Sequence, residues 1–190
     1  MISGIRRLAL VAALLLPEAA AAAPIDQMMD GMRAVRSARA SFVEEKSLAS
    51  LTEPLVSRGR LVYVAPSRLE RHTDTPTKES LVVDGDVLVY SRPDENMTRS
   101  FDLASAPELR ALTEAFRATL AGDLTTLRAL FSVGFEGDEA HWRLTLVPRD
   151  EAARRLVKVV ELTGEKAAVT EVLTTETGGD STRMTVAYDP

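Results

Sequence analysis

The chain contains no cysteine, which excludes a disulfide framework and any thiolate metal centre. Its only two histidines, His72 and His141, are too few for a histidine-based metal cluster. There is no excess of positive charge. The formal net charge is −5, with both signs interspersed, so the electrostatic footprint of a nucleic-acid binder is missing. No long apolar run is present either. Leu8 to Leu16 stops at Pro17-Glu18, short of the roughly 20 residues a spanning helix needs. Catalytic signatures are lacking as well: no serine lies in a G-x-S-x-G elbow and no glycine-rich phosphate loop occurs. Glu44 and Glu45 are neighbours on an expected strand, so they point to opposite faces and cannot share one substrate atom. Asp84 and Asp86 lack the further spaced oxygen ligands of a calcium loop and read as a turn.

What is present begins with an export signal. Arg6 and Arg7 precede the apolar run, and Ala19 to Ala23 supply small-residue cleavage sites. Cleavage is expected one or two residues before Pro24, leaving residues 1–22 as a signal peptide and residues 23–190 as a single domain. Pro24 to Arg36 reads as a helix whose Ile25, Met28, Met29, Met32 and Val35 share a face. Expected strands follow at 38–51, 55–65, 68–73, 79–83, 87–90 and 97–103, with Asp84-Gly85-Asp86 as the clearest hairpin signal. Ser105 to Glu108 has the form of a capping box. The helix after it carries Leu109, Leu112, Phe116 and Leu120 as a stripe, Gly122 ends it, and Asp123 caps a second short helix, 124–130. Period two then returns at 131–136, 141–147, 156–162, 168–175 and 182–188, with turns at Gly137-Asp138, Gly164-Glu165 and Gly178-Gly179-Asp180.

The fold class expected from this order is mainly β (α+β). About eleven twisted strands joined by short connections must curl or split. Aromatic residues make up only 5% of the chain, and a closed, fully packed barrel would be hard to fill with them. A strongly curved, unclosed antiparallel half-barrel, with helices covering its concave face, buries one face and leaves room for a cavity.

Several local motifs, in order, resemble the LolA family of periplasmic lipoprotein carriers. They are Ala40-Ser41-Phe42, Pro54 to Leu61 with Gly59-Arg60-Leu61 at its end, the turn at Pro66, and Leu81-Val82-Val83-Asp84-Gly85. Pro107-Glu108-Leu109, Leu120-Ala121-Gly122-Asp123 and Trp142 to Pro148 are similar to a LolA-related subgroup. The resemblance spans nearly the whole chain after the leader. It implies a periplasmic carrier that binds the acyl chains of a lipoprotein or lipid in an apolar cavity and moves it toward the outer membrane. It implies neither catalysis nor a cofactor, and no catalytic or metal-binding residue is assigned. The partners implied are an acylated lipoprotein or lipid cargo, an inner-membrane donor and an outer-membrane acceptor, with no nucleic acid and a monomeric carrier. Within that reading the cavity wall is expected from Phe42, Leu61, Tyr63, Leu69, Leu81 and Leu144, and the lid from Met28, Met32, Leu109, Leu112 and Phe116. One departure is visible: the family's lid-latching arginine before the proline is Ala65 here, a side chain without donors. Glu44 likewise stands where the carriers usually have glutamine. The competing reading is a non-enzymatic periplasmic sensor or scaffold of the same fold that binds a protein partner. A hydrolase is disfavoured because no nucleophile motif appears.

Overall fold

The computed structural model describes residues 24–188; the leader assigned to 1–22 lies outside them. The elements run α1 (Pro24–Ala34), β1 (Ser37–Ser47), β2 (Leu55–Val64), β3 (Arg68–Thr75), β4 (Glu79–Asp84), β5 (Val87–Arg92), β6 (Met97–Asp102), α2 (Pro107–Leu120) and α3 (Leu124–Leu130). They continue with β7 (Phe131–Gly137), β8 (Trp142–Pro148), α4 (Glu151–Leu156), β9 (Val157–Glu165), β10 (Ala168–Glu176) and β11 (Ser181–Tyr188). All eleven strands join one antiparallel sheet in the order β6-β5-β4-β3-β2-β1-β11-β10-β9-β8-β7. Consecutive strands therefore all pair, except β6 and β7, and one pair is not sequential. The first and last strands pair in the middle of the sheet, and α2 and α3 carry the chain from the edge strand β6 to the edge strand β7. The sheet is unclosed between those edges, and the helices occupy the link.

Local chemistry explains the joints. Asp84 pairs with Val87 across the β4–β5 turn, where Gly85 takes a φ of +59° that a side chain would resist. At the end of α2, Gly122 has a φ of +64°, and a Cβ there would lie 2.1 Å from the Met29 carbonyl oxygen. The same glycine accepts a hydrogen bond from Arg33 Nη2 at 2.8 Å, which fastens α1 to the α2–α3 corner.

Asp123 caps α3, accepting from the Thr126 amide at 2.9 Å and the Thr126 hydroxyl at 2.6 Å. The Thr126 side-chain hydrogen bond, then the backbone one, lowers the Asp123 pKa. A carboxylate whose pKa falls on folding adds stability above the ordinary carboxylate range and loses it as pH falls through and below that range. Asp123→Ala is therefore expected to cost about 1 kcal/mol near neutral pH. The gap between the mutant and parent melting temperatures should narrow on acidification; a gap that is independent of pH would show that the carboxylate charge does not matter to the cap.

The main core lies on one side of the sheet. Met28, Met29 and Met32 of α1, Ala115 and Ala118 of α2 and Leu127 of α3 join Phe131, Leu144, Leu146, Val160 and Leu162 in one buried cluster. The strand β8 alternates buried Trp142, Leu144 and Leu146 with exposed Arg143 and Val147, the period of a half-buried strand.

Four expectations need correction. Ser105 is not the cap of α2: it closes a short 3₁₀ turn, and the N-cap is Ala106, without a side-chain hydrogen bond. Pro107 at the first turn needs no acceptor for an amide it lacks, so the start tolerates a weak cap; the Glu108 side chain is outside the description. Gly164 is not in a turn but inside β9, opposite Trp142; the chain reverses at Lys166, whose φ is +52°. The first strand stops at Ser47 rather than reaching Leu51. Finally, α4 was not expected: after Pro148, Asp150 caps a helical turn by accepting from the Ala153 amide at 2.9 Å.

Candidate functional site

Directly opposed residues of an antiparallel pair share a face, so the strand register defines the inner face residue by residue. Between β1 and β5 it forms rows about 7 Å apart, two residues along each strand. The first row is Ala38, Tyr63, Leu69, Val83 and Leu88. The second is Ala40, Leu61, Arg71, Leu81 and Tyr90. The third is Phe42, Gly59, Thr73 and Glu79, and Glu44 opposite Ser57 begins the fourth. An apolar row thus grades into rows that carry charge.

The expected wall residues all fall on this one face, since Leu144 connects to it through Leu162, Val172, Met184 and Glu44. Their surroundings differ. Leu144 is fully buried in the main core together with the expected lid residues Met28 and Met32. Leu112 and Phe116 pack against the same core from α2, whereas Leu109 is exposed. The deepest residues of α2 are Ala115, Ala118 and Thr119: small side chains bring the helix axis close, and the larger leucines flank it. On the other half, Leu69 and Leu81 are only partly buried and pack with Tyr90 against a small cluster of Val83, Leu88 and Leu103. Leu61 beside them is also half-buried.

Phe42 and Tyr63 are buried, at 2% and 4% exposure. The Phe42 ring covers Gly59, where a Cβ would approach its Cε1 to 2.8 Å. The Arg71 guanidinium lies 4.9 Å from the ring centroid, within range of a cation–π contact. Arg71 Nη2 donates to Glu44 at 2.8 Å, and its Nη1 lies 3.8 Å from Glu79. Tyr90 donates to Glu79 at 2.7 Å, and that hydrogen bond to a carboxylate raises the tyrosine pKa. Burial raises the Tyr63 pKa. Arg92 Nε lies 3.9 Å from Glu79, so Glu44, Arg71, Glu79, Tyr90 and Arg92 make one connected polar group on the inner face. No local motif announces it, because its members come from four strands.

A separate half-open cleft of about 490 Å³ lies between the β2–β3 turn at Pro66-Ser67 and the helices α2 and α3. Its lining includes Arg110, Glu114, Arg117 and Asp123 and none of the expected wall or lid residues.

The sequence profile of the outer membrane lipoprotein carrier protein LolA-like family matches residues 17–188. The chain belongs to the LolA-like family. No curated protein matches its sequence significantly. Among solved structures it is similar to a LolA superfamily protein from Nitrosomonas europaea, at 9% identity over 87% of this chain and 92% of that one, with a TM-score of 0.48. It is also similar to a putative outer membrane lipoprotein-sorting protein domain from Vibrio parahaemolyticus, at 12% identity over 87% and 91% of the two chains, with a TM-score of 0.47. The Pseudomonas aeruginosa MucA/MucB complex matches at 16% identity over 85% of this chain and 53% of that one, with a TM-score of 0.43.

In this LolA-like chain Ala65 has only its backbone to offer, and its amide donates to the Arg36 carbonyl at 2.9 Å. One tie between helix and sheet starts from α2. Arg117 of α2 donates to the Gly85 carbonyl of the β4–β5 turn at 3.0 Å and pairs with the buried Glu114.

Proposed function

We propose that this protein is a non-catalytic periplasmic carrier that holds the acyl chains of a lipoprotein or lipid against its inner face and moves them toward the outer membrane. The observation that carries the reading is the half-buried apolar patch of Leu61, Leu69 and Leu81 beside Tyr90, outside the helix-filled core. Phe42, Leu61, Tyr63, Leu69, Leu81 and Leu144 form the wall in this proposal. Met28, Met32, Leu109, Leu112 and Phe116 form a cover that shifts as cargo enters.

Magnitudes favour such a shift. Exposing Met28 and Met32 costs about 3–6 kcal/mol at roughly 1.5–3 kcal/mol each, and an acyl chain returns about 0.8 kcal/mol per buried methylene. A chain of about eight methylenes already offsets exposure of these two methionines. The carrier receives its cargo from an inner-membrane donor, passes it to an outer-membrane acceptor, and works as a monomer without a cofactor.

The test is binding of a fluorescent fatty-acid probe to delipidated protein. Leu61→Glu places a charge in the second row and is expected to weaken binding by at least about tenfold, the equivalent of roughly two lost methylenes. Unchanged affinity would remove Leu61 from the wall. The sensor or scaffold reading draws on the edge strand β6, five of whose six residues are exposed, since such an edge can accept a partner strand. Mass spectrometry of the purified protein separates the two: co-purified acyl species support the carrier, and a stable protein complex without them supports the scaffold.

A further inference from the structure

We propose that the charged rows of the inner face bind the uncharged carbonyl oxygen of the ester or amide linkage at the head of an acyl chain, so that the site reads the linkage as well as the hydrocarbon. This rests on the carrier reading above and names the polar half of its ligand.

Four buried side-chain polar atoms have no hydrogen-bond partner among the described residues: Tyr63 Oη, Arg71 Nε, Thr73 Oγ1 and Arg92 Nε. Tyr63, Arg71 and Thr73 belong to the three successive rows, and Arg92 reaches the same group through Glu79, 3.9 Å from its Nε. Tyr63 and Thr73 are 4% and 5% exposed, so bulk water does not reach them freely. Arginine only donates, and the two hydroxyls donate as readily as they accept. What completes the set must bring acceptor oxygens to these buried atoms.

The local charge decides what kind of acceptor. Glu44 and Glu79 face Arg71, while Glu79 and Glu95 face Arg92, with Glu95 accepting from its Nη1 at 2.7 Å. Both arginines are already balanced. A carboxylate or phosphate entering here would sit against Glu44 and Glu79 and compete with them, a like-charge arrangement that is unfavourable at low solvent exposure. A neutral carbonyl meets no such cost. The position agrees as well: Leu61 and Leu81 flank Arg71 in the second row and the first row is apolar, so hydrocarbon and acceptor lie side by side, as they do at an acyl linkage. Acyl esters of lipids and acyl amides of modified peptides share this carbonyl.

The experiment compares 1-acyl lysophosphatidylcholine with its 1-O-alkyl ether analogue, identical in chain and head group but lacking the carbonyl. Each displaces a fluorescent fatty-acid probe from the purified protein. The ester is expected to bind about tenfold tighter, the effect of satisfying one buried donor. Thr73→Val is expected to shrink that ratio, and Arg71→Met combined with Glu44→Gln, which keeps Glu79 beside Arg92, to abolish it. An N-acylated peptide of the same chain length identifies the source: tighter binding than the lysolipid assigns a lipoprotein amide, weaker binding a lipid ester. Equal affinity for ester and ether in the unmodified protein overturns the carbonyl site and leaves the carrier reading standing. Binding of neither lipid overturns both.

Discussion

Gly164→Ala is expected to lower the melting temperature by about 6–12 °C, on the basis of roughly 3 kcal/mol for an overpacked core position and 2–4 °C per kcal/mol at this chain length. Gly164 lies directly across the strand pair from Trp142, against its indole. A Cβ there would come within 2.1 Å of Trp142 Cζ2 and 2.4 Å of the Ala168 carbonyl oxygen. The ring has little room to yield: Trp142 is 2% exposed, and its Nε1 donates to the Lys166 carbonyl at 2.8 Å. Moving the ring breaks that hydrogen bond, and moving the backbone disturbs the β9–β10 pairing. Trp142 is the only tryptophan in the chain, so its emission reports the displacement without interference. Gly178→Ala is the control, because a Cβ there meets nothing within 4 Å, and its effect should stay within about 0.5 kcal/mol. An unshifted melting temperature and emission maximum for Gly164→Ala would mean that the ring does not cover this glycine in solution.

Gly164 also illustrates how far the sequence can be read. Its neighbours suggest a turn, since glycine followed by a charged residue between two strands is a common turn signal. The alternative role of glycine, making room for an aromatic across a strand pair, depends on a register that spacing alone does not give. The hairpins with strong turn chemistry, such as Asp84-Gly85, were legible for the opposite reason: two adjacent residues contain the whole signal. The period-two apolar pattern of β8 was equally local. Capping was legible at Asp123 and misleading at Ser105, where Pro107 supplies the helix start and Asp102 accepts from the Ala104 amide to shape the turn before it. The signal for α4 was present in Asp150 and the alanines after it, but six residues are too few to show a helical period.

The candidate site divides along the same line. Phe42, Leu61, Tyr63, Leu69 and Leu81 are the wall residues expected within the carrier reading, and the register brings them to one face. What alternation does not reveal is which parts of that face the helices fill. Burial of Leu144 with Met28 and Met32 follows from the packing of α1, α2 and α3 against the sheet, a tertiary fact. The polar group was hidden in a different way. Glu44, Arg71, Glu79 and Arg92 look like ordinary solvent-facing strand residues until the pairing of β1 to β5 places them inward, next to one another.

Phe42→Ala is expected to destabilise the protein by about 3–5 kcal/mol, the range for removing a buried phenylalanine. Two consequences beyond lost burial distinguish it from a generic core truncation. Gly59 loses the ring that covers its backbone, in the centre of a strand paired on both sides. Arg71 loses the surface on which its guanidinium rests, while keeping its hydrogen bond to Glu44. Phe42→Leu separates these effects, because it restores most of the apolar volume without an aromatic face. If burial alone matters, Phe42→Leu should recover all but about 1 kcal/mol. If the stacking also contributes, a double-mutant cycle of Phe42→Leu with Arg71→Met should show a coupling of about 0.5–2 kcal/mol, the span measured for cation–π pairs from exposed to desolvated settings. Urea midpoints measure all four states of the cycle. A cost below about 1 kcal/mol for Phe42→Ala would contradict the packing on this face, and with it the position of Arg71 against the apolar rows.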